Sequence, residues 1–180
     1  PATRPLERVH FDVAPAIPVD GTGGETGFLL LVDEFTDEWF VYTLRHKSEV
    51  PALLEQFRVM AEKHFAGHQV GSMQEVSCAL AGLRSDGAGE NDSHVVREWC
   101  KEHGVVHELS APHSQWQNGR CERAMATVWQ GAEAIRLAAG APKSFWPFAV
   151  LHFCALRNLL PVGDREVSPN EKWHGYREDF

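Results

Sequence analysis

Val9-His10-Phe11-Asp12-Val13 decides the architecture: an apolar run with an acid in its middle. It reads as a strand from Val9 to Ala14, ended by Pro15 and Pro18. Alternation puts His10, Asp12 and Ala14 on one face and Val9, Phe11 and Val13 on the other. The first strand of such a sheet lies centrally and is covered on both faces. An acid there must be hydrogen-bonded, protonated or bound to a cation, because an unpaired charge is costly to desolvate.

Outward from this strand, Val19 to Gly27 is a Gly/Thr turn, and Phe28 to Val32 is a continuous apolar run that predicts a buried strand. Asp33 to Asp37 makes a turn, and Trp39 to Leu44 is a third strand rich in aromatic and β-branched residues. Short turns between the three imply an antiparallel meander. Asp33, Glu34, Asp37 and Glu38 cluster at this hairpin and are expected to be solvated.

The period then changes. Ser48 is the expected N-cap of a helix with Leu53, Leu54, Phe57, Met60, Ala61 and Phe65 at helical spacing, ended by Gly67. Val76 to Leu83 predicts a fourth strand, and the crossover makes it parallel. Ser93 caps a short helix to His103, stopped by Gly104, and Val105 to Leu109 is a fifth strand. Residues 110–120 read as a polar loop, Cys121 to Ala139 as a long helix, and Ser144 to Leu160 as another. The order βββαβαβαα predicts an α/β fold, a mixed five-stranded sheet flanked by helices. Residues 1–8 read as a linker, 9–161 as the core domain and 162–180 as a C-terminal extension.

At 180 residues the chain suffices for one domain with a full core, and 43% hydrophobic and 23% charged residues are ordinary for a globular protein. The start, Pro1-Ala2-Thr3-Arg4, reads as that of a domain cut from something longer. No run of about 18 apolar residues is present, so no membrane span is expected. Cys78, Cys100, Cys121 and Cys154 are scattered without a CxxC pair, which argues against zinc and for reduced, buried thiols in an intracellular protein. The net charge of −8 argues against tight nonspecific nucleic-acid binding, which rests on Lys and Arg neutralising phosphates.

Two further acids stand out. Asp86 closes the run Leu83-Arg84-Ser85-Asp86-Gly87, although an Asp before Gly is also a generic turn signal. Glu122 opens the long helix, three residues before Met125 on the apolar stripe Met125, Val128, Trp129, Ala132, Ile135 and Ala139. That spacing puts Glu122 on the inward face; a first-turn Glu favoured by the helix dipole is the plainer alternative. Thirty-five residues (87–121) separate Asp86 from Glu122. Acids mid-strand, at a strand end and on a helix can converge on one point, forming an oxygen-only site for hard divalent ions. His113 and Asn118, in the polar loop, either touch substrate or shape the loop.

Ser110-Ala111-Pro112-His113-Ser114-Gln115-Trp116-Gln117-Asn118-Gly119-Arg120-Cys121-Glu122-Arg123 resembles the integrase signature of retroviruses and retrotransposons, in which a Pro-rich loop runs through Gln-Asn-Gly to Glu-Arg. Arg84-Ser85-Asp86-Gly87-Ala88-Gly89-Glu90-Asn91 resembles the RSDNGGE stretch around that family's second acid, and the interval of 35 matches its Asp-Asp-35-Glu pattern. Phe145-Trp146-Pro147-Phe148-Ala149-Val150, Arg157-Asn158-Leu159-Leu160-Pro161 and Ser168 to Gly175 look like copia-type segments of and after the core. The resemblance covers roughly residues 5–178 and is to the catalytic core only; the family's zinc-binding N-terminal domain and C-terminal DNA-binding region are absent. Gly87 replaces the usual Asn, and Ala124-Met125-Ala126 replaces Lys-Asn-Arg, which removes positive charge from a face expected to meet DNA.

The resemblance implies a ribonuclease-H-like fold and a polynucleotidyl transferase that processes DNA 3′ ends and joins them to target DNA. Asp12, Asp86 and Glu122 would hold two Mg²⁺ or Mn²⁺ ions roughly 3.5–4 Å apart, with Asp12 bridging both. His113, Gln117, Asn118 and Gly119 would position DNA, and Arg123 would pair with a phosphate or a neighbouring acid. Element ends, target DNA and further copies of the chain are the implied partners, and the nucleus the implied location. The aromatic residues Phe145, Trp146, Phe148 and Phe153 form either a self-association surface or core. Two other readings remain: a ribonuclease-H-like nuclease without joining activity, and a decayed copy serving as an interaction module.

Overall fold

The computed structural model describes residues 1–66, 79–86, 94–109, 115–163 and 165–175, the side chains of 115–118 excepted. Strands β1 (Val9–Val13), β2 (Gly27–Asp33), β3 (Trp39–Leu44), β4 (Gly82–Ser85) and β5 (Val106–Leu109) form one sheet in the order β3-β2-β1-β4-β5. β1 is therefore central. It pairs antiparallel with β2 and parallel with β4, and β4 pairs parallel with β5. The helices are α1 (Val50–Ala66), α2 (His94–Glu102), α3 (Gln115–Ala138), α4 (Trp146–Leu159) and α5 (Pro169–His174).

The alternation along β1 builds two cores. Val9, Phe11 and Val13 join Leu29 and Leu31 of β2 beneath Leu54, Phe57 and Ala61 of α1 and Val96 and Trp99 of α2. On the other face Ala14, Phe28, Leu30 and Val32 pack against Cys121, Ala124, Met125 and Val128 of α3 and Trp146, Ala149 and Val150 of α4. Every residue of β2 is buried, as its unbroken apolar run requires.

Several expectations are corrected. Ser48 does not cap α1: it lies in a 3₁₀ turn, Lys47–Glu49, where the His46 N–H donates to the Glu49 carboxylate. β4 is shorter than expected and displaced toward Asp86, while residues 76–78 and Ser93 lie outside the described residues. The expected 110–120 loop gives way to helix from Gln115, so α3 starts six residues early. Gln, Arg and Cys are tolerable helix formers, and the loop composition misled.

The segment expected as a linker is packed on the sheet. Leu6 is fully buried, its N–H donates to Asp33 Oδ2 at 2.9 Å, and its carbonyl accepts from Ala81 N at 2.9 Å. The C-terminal extension also enters the core. Ser168 caps α5 in a reciprocal capping box with Glu171, and Trp173 packs edge-on against Phe40 and Phe65. The packed unit thus extends past both expected boundaries.

Candidate active site

The strand register brings the first two acids together. His10 pairs with Arg84 across β1 and β4. Continuing that register two residues sets Asp12 beside Asp86, which directly follows β4. Both lie on the face that α3 covers. Asp12 is half-buried, and its Oδ1 accepts the Val13 N–H at 2.8 Å.

Glu122 stands on α3, but not on the inward face that the apolar stripe predicted. Cys121, Ala124, Met125 and Val128 are the buried residues there, and the Glu122 side chain is exposed. It stands in the second turn of the helix, which also removes the first-turn dipole alternative. The buried thiol of Cys121 registers all three acids. Burial pushes it well above the usual cysteine range, and the negative charges of Asp12, Asp86 and Glu122 push it further the same way. All three carboxylates thus act electrostatically on one buried thiol in the N-terminal half of α3.

The donor set suits a hard divalent ion, being carboxylate oxygen alone. Among the described residues, however, no three His, Cys, Asp or Glu side chains are gathered at distances that would ligate one ion.

Behind the acids lies a self-neutralised network. Arg8 spans Glu34 (3.3 Å) and Glu108 (3.0 Å), and Arg84 also pairs with Glu108. His10 Nε2 lies 3.0 Å from Glu34 Oε2. Burial pushes the His10 pKa down, against the pull of Glu34, so a neutral ring donating from Nε2 fits. Burial pushes Glu34 up, but the contact with His10 and the charge of Arg8 outweigh it and hold the carboxyl at about 2.

The hairpin acids, expected to be solvated, are mostly structural. Asp33 is fully buried and accepts from Thr36 N and Oγ1, both at 2.8 Å. Burial drives Glu38 up to about 7 against the charge of Arg157. Asp37, in the left-handed region at φ 65°, takes Arg157 at 2.5 Å, Arg165 at 3.0 Å and Arg120 at 3.7 Å. These partners lie 83–128 positions away in sequence, so no local signal marks the cluster.

Of the implied DNA-positioning residues, His113 lies outside the described residues, and Gln117 and Asn118 are placed only as backbone of α3. Gly119 is buried in α3, and Arg123 is exposed on it. The aromatic candidates for self-association divide: Trp146 is buried and Phe153 partly buried, whereas Phe145 and Phe148 are exposed.

No family model matches the chain. It is 31% identical over 156 residues, 87% of its length, to the Retrovirus-related Pol polyprotein from transposon TNT 1-94 of Nicotiana tabacum. It is 28% identical over 182 residues to that from transposon RE2, and 29% over 180 residues to that from RE1, both of Arabidopsis thaliana. Its homologues are retrotransposon Pol polyproteins. The chain spans 11% of the length of these curated relatives. The HTLV-2 integrase catalytic core domain, solved in complex with magnesium in a trimeric form, superposes with a TM-score of 0.69 at 13% identity, covering 97% of this chain and 100% of that one. A chain of the simian T-cell lymphotropic virus intasome, in complex with PP2A regulatory subunit B56 gamma, gives 0.71 at 12% identity, covering 94% and 55%. The fold of the chain is thus that of the retroviral integrase catalytic core, ribonuclease-H-like, as the motifs implied.

Proposed function

We propose that this chain is the catalytic core of a retrotransposon integrase, a polynucleotidyl transferase that processes DNA 3′ ends and joins them to target DNA. The observations that support the reading are the β1–β4 register, which sets Asp12 beside Asp86, and the charge that both of them and Glu122 exert on the one buried Cys121 thiol. The HTLV-2 core with the same fold was solved with magnesium, which supports a divalent ion here.

In this reading Asp12 and Asp86, adjacent on the sheet, and Glu122, opposite them on α3, hold Mg²⁺ or Mn²⁺, two ions in the full set. Bound there, such ions neutralise the charge that develops on the attacking and leaving oxygens of a phosphodiester. The protein supplies placement. Asp12 is paired with Leu30 of β2, two residues beyond the stretch of β1 that β4 also pairs, and the buried Cys121 and Met125 anchor the helix that carries Glu122. The neutralised Arg8–Glu34–His10–Glu108–Arg84 network keeps neighbouring charges from competing for the acids. DNA, further copies of the chain and a nuclear site of action belong to the same proposal.

The test is nicking of a labelled DNA duplex with Mn²⁺ by the wild type and by Asp12→Asn. Nicks from the wild type alone are expected. Equal nicking by both, or equal Mn²⁺ binding to both in calorimetry, contradicts the assignment.

A further inference from the structure

Four of the chain's 17 basic residues line one pocket of about 250 Å³: Arg120 and Arg123 from α3, Arg157 from α4, and Arg165 beyond it. A single carboxylate, Asp37, faces them there, and the hydroxyl of Thr127 is also in the wall. Asp37 acts as an organiser: three of the four guanidinium groups lie within 4.0 Å of it. Arg157 is pinned further, 4.0 Å over the Trp39 ring. The fourth cation, Arg123, has no acid partner among the described residues. One carboxylate offers about four acceptor sites, and each guanidinium brings five donors in a planar fork. Arg120 and Arg157 also donate to the Glu34 and Asp37 carbonyls, but four guanidinium groups against one carboxylate leave the pocket with surplus donors and surplus positive charge on a protein whose net charge is −8.

We infer that this pocket binds a backbone phosphate of DNA, a contact distinct from the carboxylate site. Two arginines come from the same two turns of α3 as Glu122, but from the opposite flank of its buried stripe. A DNA strand seated there would lie against the same helix that carries Glu122. The surplus donors match the non-bridging oxygens of a phosphate, which guanidinium groups bind in bidentate fashion. The pocket also answers the charge problem: affinity rests on a local cationic site, not on the net charge. The inference rests on the reading of the chain as a DNA-processing core.

The test is fluorescence anisotropy of a labelled duplex, titrated with this chain in EDTA at several salt concentrations. Wild type is compared with Arg123→Gln/Arg165→Gln, whose side chains are exposed and whose fold circular dichroism checks. The double variant is expected to bind roughly tenfold more weakly at low salt and to lose about 1 from the slope of log K against log salt. Arg123→Lys/Arg165→Lys, which keeps the charge, should retain most of the slope. An unchanged slope and affinity in the Gln variant overturns the inference, as does a wild type that binds no duplex. Poly-glutamate binding lost in the variant while duplex binding persists assigns the pocket to an acidic protein segment instead. EDTA separates this result from the metal-dependent reading: a chain that nicks DNA with Mn²⁺ but ignores the pocket variant keeps the proposed function and loses only this site.

Discussion

The Cys121 thiol is fully buried on the inner face of α3, and its burial, with the Asp12 charge on β1 adding to it, raises its pKa. A thiol that is both desolvated and held in a negative field has almost no thiolate near neutrality, and the thiolate is the reactive form. In the folded chain, Cys121 should stay unmodified by iodoacetamide at pH 8 and become labelled after unfolding in urea, as read by peptide mass mapping. Labelling of the folded chain at the rate of a free cysteine would contradict the burial of the thiol on the inner face of α3.

Glu38 gives the protein a pH signature. Burial raises its pKa from 4.5 to about 7. A carboxyl with a raised folded-state pKa contributes stability that is fully present below 4.5, where both states are protonated, and is lost as pH rises to about 7. The shift corresponds to roughly 3 kcal/mol. Glu38→Gln should flatten urea-unfolding stability between pH 5 and 8 and be the more stable protein at pH 8. A wild type whose stability does not fall over that window contradicts the assignment.

Asn158 ties α4 to the edge of the sheet. Its side-chain oxygen accepts the Trp39 N–H at 3.1 Å, and its amide donates to the Trp39 carbonyl at 2.8 Å, all buried. Asn158→Leu strands both backbone groups, which should cost about 3 kcal/mol. Urea denaturation measures it; a loss under about 0.5 kcal/mol, the range of an ordinary surface change, would show that Trp39 finds other partners.

Gly131 lets α3 and α4 approach closely. A Cβ at this position would overlap the ring of Phe153. Gly131→Ala should lower stability by about 1–3 kcal/mol through overpacking, and Phe153→Leu added to it should restore part of the loss. A helix-interior Gly→Ala that stabilises instead, as propensity alone favours, would mean the helices separate freely.

What could be read in the sequence follows from where the information sits. The period-2 pattern of Val9 to Val13 and the apolar run of β2 are set by local side-chain alternation, so the sheet, its order of elements and the two-faced core were legible. The placement of Asp86 beside Asp12 was not: it follows from the β1–β4 register, and β4 begins six residues later than its apolar pattern suggested. The direction of Glu122 was misjudged: the stripe continues from Met125 by four residues to the buried Cys121, not by three to Glu122, which is exposed. The Asp37 cluster was invisible, since one turn residue and arginines more than 80 positions away meet only in the folded chain. Leu6 and Trp173 were missed for a related reason, since a single apolar residue in a polar terminus carries no period.

The most direct measurement is an oligonucleotide strand-transfer assay with Mn²⁺, comparing wild type with Glu122→Gln. The three-carboxylate account predicts joined products from the wild type and none from the variant. Joined products from both would contradict it outright, and cleavage without joining by a well-folded wild type would contradict the transferase reading in favour of a nuclease.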